Sequence, residues 1–518
     1  MSMQTKIQPT KLLVIAVSLL LIILAACAPA VDPETPAPEA TPPDEPRGTL
    51  RVGAIAITQT DPAFISSDSE VLVANHVYDY LVDIDADNEI QPRIARDWTI
   101  SEDGLSYTFT LAEDVTFHDG SPMTAQDVVF TFRRLRDTEG LPTADLYADI
   151  ESIEATGEFE VTFVISDPNP FFLFDLSDNH ALIIKDGTED ATDFNGTGPF
   201  VVTDYQPENR ISMRANEDYF IEDQPLLAGL EIIFFADQAA AVDAIQGGQL
   251  DLTMDMSTAL YESLLDIDGL TAYDIATNQF VAVRLRTDQE PGNDPRVIEA
   301  FKLATNREAI FQVVQQGYGA VGQDTPIGPM FEDYYTEAYD LPDRDPQAAA
   351  NLLAEAGYPD GIEMDLHLLD TQNFPDLAVV LQDQWAEAGI DVNVVILPEG
   401  IYYGEGEWLE VNLGITGWGH RPYPQFYLEV MLQCDAIWNE TRFCDEDFDA
   451  LIATAGSALD DQERIDAYAE IQRILIERGP MIVPYFFAQY GVISEDFAGF
   501  ELSAFSGRTD FRTIFWVE

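Results

Sequence analysis

At 518 residues the chain is too long for one hydrophobic core, and 46% apolar residues with 11% aromatics exclude wholesale disorder. The formal net charge of −68 arises from 93 acidic residues against 25 basic ones, of which the lysines are Lys6, Lys11, Lys185 and Lys302. A surface this acidic repels nucleic acid and anionic lipid head groups, and reads as a solvated face suited to variable or high salt.

Lys6 and Lys11 precede an apolar run over 12–23. That run is shorter than the about 20 residues of a comfortable membrane span and fits the hydrophobic region of a signal peptide. It ends in Leu24-Ala25-Ala26-Cys27, which resembles the lipobox of bacterial lipoproteins. The resemblance implies cleavage before Cys27 and a lipid on its thiol. No twin-arginine pair is present, so export by the general route, unfolded, is expected. Residues 28–47, "APAVDPETPAPEATPPDEPR", hold seven prolines and read as an extended tether. Cys434 and Cys444 remain; in an exported chain they are expected to form a disulfide. A loop of that length stabilises by about 2–3 kcal/mol in the chain-entropy account. His76, His118, His180, His367 and His420 lie far apart, so no metal-ligand spacing is visible and no metal or cofactor is expected.

"GTLRVGAIA" from residue 48 reads as a buried first strand, and Val71, Ala74, Val77, Tyr78 and Leu81 follow at helical spacing. Short alternating strands then turn at Glu102-Asp103-Gly104. In "FHDGSPMTAQDVVFTFRRL" (117–135), His118-Asp119-Gly120 ends a strand in a tight turn, and Thr124 with Asp127 opens a helix as a capping box. Two β-α-β units are expected, with strands over 230–235 and 251–254, then 364–369 and 390–396. Asp294-Pro295, Asn306 and Asp345-Pro346 mark helix starts, and 460–480 carries a long helix ended by Gly479-Pro480. The chain is therefore α/β, with at least two sheet-centred lobes.

Several stretches together resemble the dipeptide-, oligopeptide- and nickel-binding proteins of bacterial ABC importers, extracellular solute-binding protein family 5. They include "GTLRVG", the run 94–135, "GTGPFVVTDYQPENRISMRANEDYF", "DPRVIEAFKLATNREAIFQVVQQGYG", "LLAEAGYPDG", "TGWG", "FCDEDFDALI" and "PMIVPYFF", in the family's order. The resemblance implies a periplasmic-binding-protein-like (Venus flytrap) α/β fold of the three-lobed type, with mixed sheets and two hinge crossings. The implied division is a signal peptide over 1–26 and an anchored tether over 27–47. Lobe I comes from 48–88, 198–283 and 489–518, lobe II from 89–197 away from the cleft, and ligand-binding lobe III from 284–488.

In "GITGWGHRPYPQFY" (414–427) a glycine-rich strand end, with Gly417, leaves backbone open to a ligand, and Trp418 can form a flat wall. Peptide-binding members carry an aspartate three residues after this tryptophan to hold the ligand's amino group; here the position is Arg421. An arginine fork pairs with carboxylate or phosphate. Two readings stay open: Arg421 meets an anionic ligand group while Asp370 meets a cationic or hydroxyl group, or Arg421 pairs with an internal acid and leaves a neutral cleft. Asp370, Thr371, Gln372 and Asn373 replace the arginine-bearing segment of some members. Phe280, Tyr402 and His420 are further ligand-binding candidates by position in the resemblance, with no catalytic residue expected. The implied function is a monomeric, lipid-anchored receptor on the outer face of the cytoplasmic membrane, which delivers a peptide or other small solute to an ABC permease and its ATPase. An exported hydrolase is the alternative, although Gly-x-Ser-x-Gly and His-Glu-x-x-His are both missing. A non-transport receptor or chaperone on the same fold is the third.

Overall fold

Leu50 and Val52 of the first strand, Thr49–Ile55, have no exposed surface, because the strand lies between two parallel neighbours. Gly229–Phe235 pairs along its whole length, and Leu252–Met254 pairs on the other side. The crossover helix Gln238–Gln246, capped by Asp237, joins those neighbours. The first β-α-β unit therefore straddles the first strand. In the second unit the strands are adjacent: Ile362–Leu369 and Ile390–Leu397 run parallel in continuous register, linked by the helix Phe374–Ala386. This is a computed structural model, and it describes residues 41–517 except positions 44, 87, 142, 340, 372 and 405. The signal peptide, Cys27, most of the tether and Gln372 lie outside the described residues. No described helix is long and apolar enough to cross a membrane.

Two long strands tie both units into one sheet. Leu270–Leu285 and Tyr485–Ser494 are antiparallel from Leu270 opposite Ser494 to Ala276 opposite Ala488. The register then shifts and resumes at Phe280 opposite Phe486. Four steps along one strand match two along the other, so the chain bulges over 277–279. Before the bulge these strands lie beside Leu252–Met254; beyond it Leu270–Leu285 pairs with Leu413–Trp418. Among the described residues the sheet holds twelve strands.

The apolar cores divide at the bulge. Leu50, Ile232 and Ile493 belong to one core; Val281, Val283, Leu366 and Trp385 belong to another; Phe280, Tyr468 and Phe486 belong to a third under the helices Glu446–Ser457 and Asp461–Arg478. Val281 and Val283 thus pack with the second half of the chain, a few residues ahead of the boundary expected at 283/284. The four-stranded sheet of 95–165 has no core of its own. Phe109, Phe132 and Phe163 pack edge to face and join the same core as Leu50.

Local signals meet two adjustments. The helix expected to reach Leu81 is Asp68–Val77: Tyr78 closes its last turn onto the Ala74 carbonyl with an extended backbone, and Val82 begins a strand. His118-Asp119-Gly120 follows a single bridge, Thr116 to Pro122, rather than a strand, with Gly120 at φ +81°. The Thr124–Asp127 capping box is complete, and the His118 ring lies 3.3 Å from the Phe194 carbonyl and 3.0 Å from that of Gly198.

A buried carboxylate holds the second half together. Cys434 and Cys444 are disulfide-bonded, and between them Glu440 has no exposed surface. Glu440 accepts from Arg284 Nε (2.9 Å), Trp408 Nε1 (2.8 Å), Thr416 Oγ1 (2.7 Å) and Trp418 Nε1 (3.2 Å). Arg284, equally buried, also donates to the carbonyls of Val411 and Trp408. An ion pair this deep is stable only while both partners stay satisfied. Glu440→Gln should therefore lower the unfolding free energy by about 3–5 kcal/mol by leaving the Arg284 charge unpaired. Urea denaturation measures this, and a drop below about 1 kcal/mol would contradict the assignment.

Candidate functional site

Where the long strands bulge, the two halves of the molecule separate around a cavity of about 660 Å³. Its floor is the crossing itself: Gln279, Phe487, Ala488 and Gln489. Asp68, Asp255, Thr258 and Ser506 line one wall; Gln315, Thr371, Asn373 and Asp376 line the other. No lysine or arginine is among the lining residues.

Each group reaches the cavity for a local reason. Ser67 caps the helix Asp68–Val77, which sets Asp68 in its first turn, at the cavity mouth. Asp255 follows the edge of Leu252–Met254 with φ +55°, a left-handed backbone that aspartate tolerates better than most residues. Gln489 interrupts an apolar crossing strand and donates its amide to Asp255 Oδ1. Asn373 occupies the cap position of Phe374–Ala386, but its side chain makes no cap bond. It donates to the Val314 carbonyl and accepts from the Tyr485 hydroxyl, both at 3.3 Å.

The walls raise the carboxyl pKa values. Asp255 is pushed up to about 7, first by desolvation and then by the charge of Asp68. Desolvation also raises Asp68, against a hydrogen bond from Ser506. Asp68 is exposed and Asp255 half-buried, and both line the cavity. Two carboxylates that face one space with no cation between them resist losing both protons.

The sequence candidates divide. Thr371 and Asn373 line the cavity; Asp370 is exposed and is not among the lining residues. Phe280 and Tyr402 have no exposed surface, and the Tyr402 hydroxyl lies 2.8 Å from both the Ile415 carbonyl and Thr416 Oγ1, so neither offers a ligand a face in this conformation. Trp418 is 7% exposed, stacked parallel to Phe280 at 6.5 Å with its indole N–H turned inward to Glu440. Gly417 beside it pairs with Val281.

His420 Nδ1 accepts the Asn278 backbone N–H at 3.0 Å, and its ring meets Phe505 at 4.0 Å. Desolvation, with the neighbouring Arg421 charge, pushes it down to about 3, so it is neutral. Arg421 is exposed, lies 4.5 Å over the Phe426 ring and donates to the His420 carbonyl. Its charge helps to lower the Asp178 pKa, after the larger effects of His180. Among the described residues no group of three or more His, Cys, Asp or Glu side chains is disposed to hold a metal.

The segment after His420 reaches across to the other half of the molecule. Asn88 Nδ2 donates to the Pro422 carbonyl at 2.7 Å, the Tyr423 hydroxyl donates to Asp175 at 2.5 Å, and Tyr423 stacks on Phe171 at 4.6 Å. Phe171 and Asp175 of the region 89–197 thus touch the loop that follows His420. Sequence reasoning missed Asp68, Asp255, Gln279, Gln315, Gln489 and Ser506. The one available signal was an isolated glutamine in the apolar run "PYFFAQYGVI".

A family model described as bacterial extracellular solute-binding proteins, family 5 middle, matches residues 89–439. Heme-binding protein A of Haemophilus influenzae is 29% identical over 455 residues, covering 79% of this chain and 81% of the relative. Di/tripeptide-binding protein 1 of Pseudomonas aeruginosa is 28% identical over 432 residues, covering 76% and 80%. The solved structure of the ABC transporter substrate binding protein CtaP from Listeria monocytogenes superposes with a TM-score of 0.80 at 21% identity, over 92% of this chain and 100% of that one. At that identity the likeness speaks for the fold alone. The family model spans well over half of the chain, which therefore belongs to the bacterial extracellular solute-binding proteins of family 5, proteins that bind solutes rather than transform them.

Proposed function

We propose that this chain is a lipid-anchored receptor that captures a small polar solute between two lobes and presents it to an ABC import permease. The observation that carries the reading is the cavity at the bulge of the two crossing strands, with groups from both halves on its walls. We read lobe I as 48–88, 198–276 and 488–517, lobe II as 89–197, and lobe III as 280–486, with the bulge as hinge. Ligand contacts made to both walls at once would shift the population toward closure. The relatives named for heme and for di- and tripeptides support solute capture without fixing the solute. Arg421, beside Phe426 and acting on Asp178, is read as serving the protein's own acids, so the cleft polarity comes from carboxylates and amides. Mass spectrometry of molecules co-purifying with the chain, followed by calorimetric rebinding, tests the reading. Saturable binding of one low-molecular-weight compound is expected. Absence of any, together with hydrolysis of peptides or glycosides, would favour an enzyme.

Closure has a second support in Tyr423, which crosses to the buried Asp175 carboxyl; burial pushes that carboxyl up to about 7. Tyr423→Phe keeps the stack on Phe171 and removes the donor, at a cost to the closed state of about 1–3 kcal/mol. Small-angle scattering of the ligand-free protein should show a larger radius of gyration for the variant; identical profiles would mean that the contact does not hold the halves together.

Cys27 lies in the lipobox-like stretch. Replacing it with serine should leave the protein unprocessed or release it from the membrane fraction. A processed variant that still sediments with membranes in a strain lacking the permease would remove the anchor from this proposal.

A further inference from the structure

Asp68 and Asp255 come from different elements, yet their carboxylates line one cavity. Among the described residues neither forms an ion pair. Asp255 is oriented by the amide of Gln489, whose Oε1 accepts from the Ser506 hydroxyl at 3.5 Å. The remaining titratable lining residues are Asp376, which adds negative charge, and Tyr490, whose hydroxyl lies 2.9 Å from Thr258 Oγ1. On the facing wall Gln315 is 1% exposed and lines the same cavity, and its Nε2 has no acceptor within hydrogen-bond geometry. The neighbouring Tyr485 hydroxyl donates to Asn373 Oδ1 at 3.3 Å, and the nearby Gln315 amide favours its ionised form against desolvation. A buried amide donor without an acceptor is costly, and a ligand oxygen would relieve it.

We propose that the cavity takes an amine-bearing ligand, with its ammonium group between Asp68 and Asp255 and a carbonyl or hydroxyl oxygen of the same molecule at Gln315. This rests on the reading of the cavity as the solute site. The ammonium supplies the positive charge that the two carboxylates lack, and hydrogen bonds to ionised acceptors are the strong ones. A neutral solute would supply no such charge and would leave Asp255 protonated up to about pH 7.

The proposal has a pH signature. In the free protein Asp255 keeps its proton up to about pH 7, held by desolvation and the Asp68 charge. An arriving ammonium favours the ionised form, so below neutrality binding releases a proton to solvent. Affinity should rise with pH by up to about tenfold per unit, and level off once Asp255 is ionised in the free protein.

The test uses the purified full chain, freed of co-purifying material, with putrescine, alanylalanine and N-acetyl-alanylalanine as probes, in calorimetry from pH 5.5 to 8.5. Any co-purified compound is identified in parallel. The expected result is binding of at least one free amine, or an amine-bearing co-purified compound, with affinity rising to about pH 7. Affinity should fall at least thirtyfold, as an order of magnitude, in Asp255→Asn and in Asp68→Asn, and the acetylated probe should not bind. Both substitutions are isosteric and remove like-charge repulsion, so melting temperatures at pH 8 should hold or rise. Binding of a neutral or anionic compound, equally tight in both variants and flat with pH, overturns the ammonium site while solute capture stands. If no probe and no co-purified compound binds, the solute reading of the cavity falls as well.

Discussion

Everything that distinguishes this molecule from an ordinary mixed sheet depends on the misregister of two antiparallel strands. Four residues of Leu270–Leu285 oppose two of Tyr485–Ser494, so backbone over 277–279 leaves the ladder. Thr277 Oγ1 donates to the Phe487 carbonyl across the gap, which keeps the strands together where their regular bonds fail. Each strand is thereby divided among several cores, and a cavity lies beside the break. Were the register continuous, the sheet would have no soft point, and the walls that carry Asp68 and Asp376 would have no cleft to face. A bulge concentrates twist and bending at one place, which suits a hinge that must move without unpairing the rest.

The Glu440 network sets how rigid the far side of that hinge is. It joins the crossing strand through Arg284, the neighbouring strand through Thr416 and Trp418, and the disulfide-closed loop through its own backbone. Bending on the second side is therefore confined to the few residues between the bulge and Arg284. The same network holds the Trp418 indole N–H inward, beside the buried Phe280 and Tyr402. A buried carboxylate draws the indole N–H inward, and the flat face packs on Phe280. Nothing local to "TGWG" or "NETRF" announces that pairing, because Glu440 and Trp418 meet only after the disulfide loop has folded back.

What could be read from the sequence follows from range. Helix caps at Thr124, Asp294, Asn306 and Asp345 are decided by contacts within three residues, and each stands as read. The β-α-β units were visible as alternating elements of suitable length. That the first straddles Thr49–Ile55 was not, because strand order is a property of the assembled sheet. The cavity was the least legible part. Its walls come from the helix at Asp68, the strand edge at Asp255, the loop at Gln315 and the tail at Ser506, and no spacing rule links positions so far apart. Thr371 and Asn373 were reachable only because they follow a strand that ends at the cleft.

Composition also shapes the cleft. With 25 basic residues against 93 acidic ones, cations are scarce, and several are taken into the interior. Arg93 meets Asp83, Arg284 meets Glu440, Arg307 meets Asp324 and Arg508 meets Asp83, each arginine less than 10% exposed. The forks of Arg284, Arg307 and Arg508 satisfy carboxylates and backbone carbonyls at once, which a lysine's single ammonium does less well. The cavity lining is left without a lysine or arginine. General acidity alone draws cations without selecting among them, since exposed charges more than a Debye length of about 10 Å apart are screened at moderate salt. Asp68 and Asp255 line one cavity, where the Gln489 amide orients Asp255 and the Asp68 charge, after desolvation, raises its pKa. That arrangement converts a diffuse field into a directional one at the cavity beside the bulge.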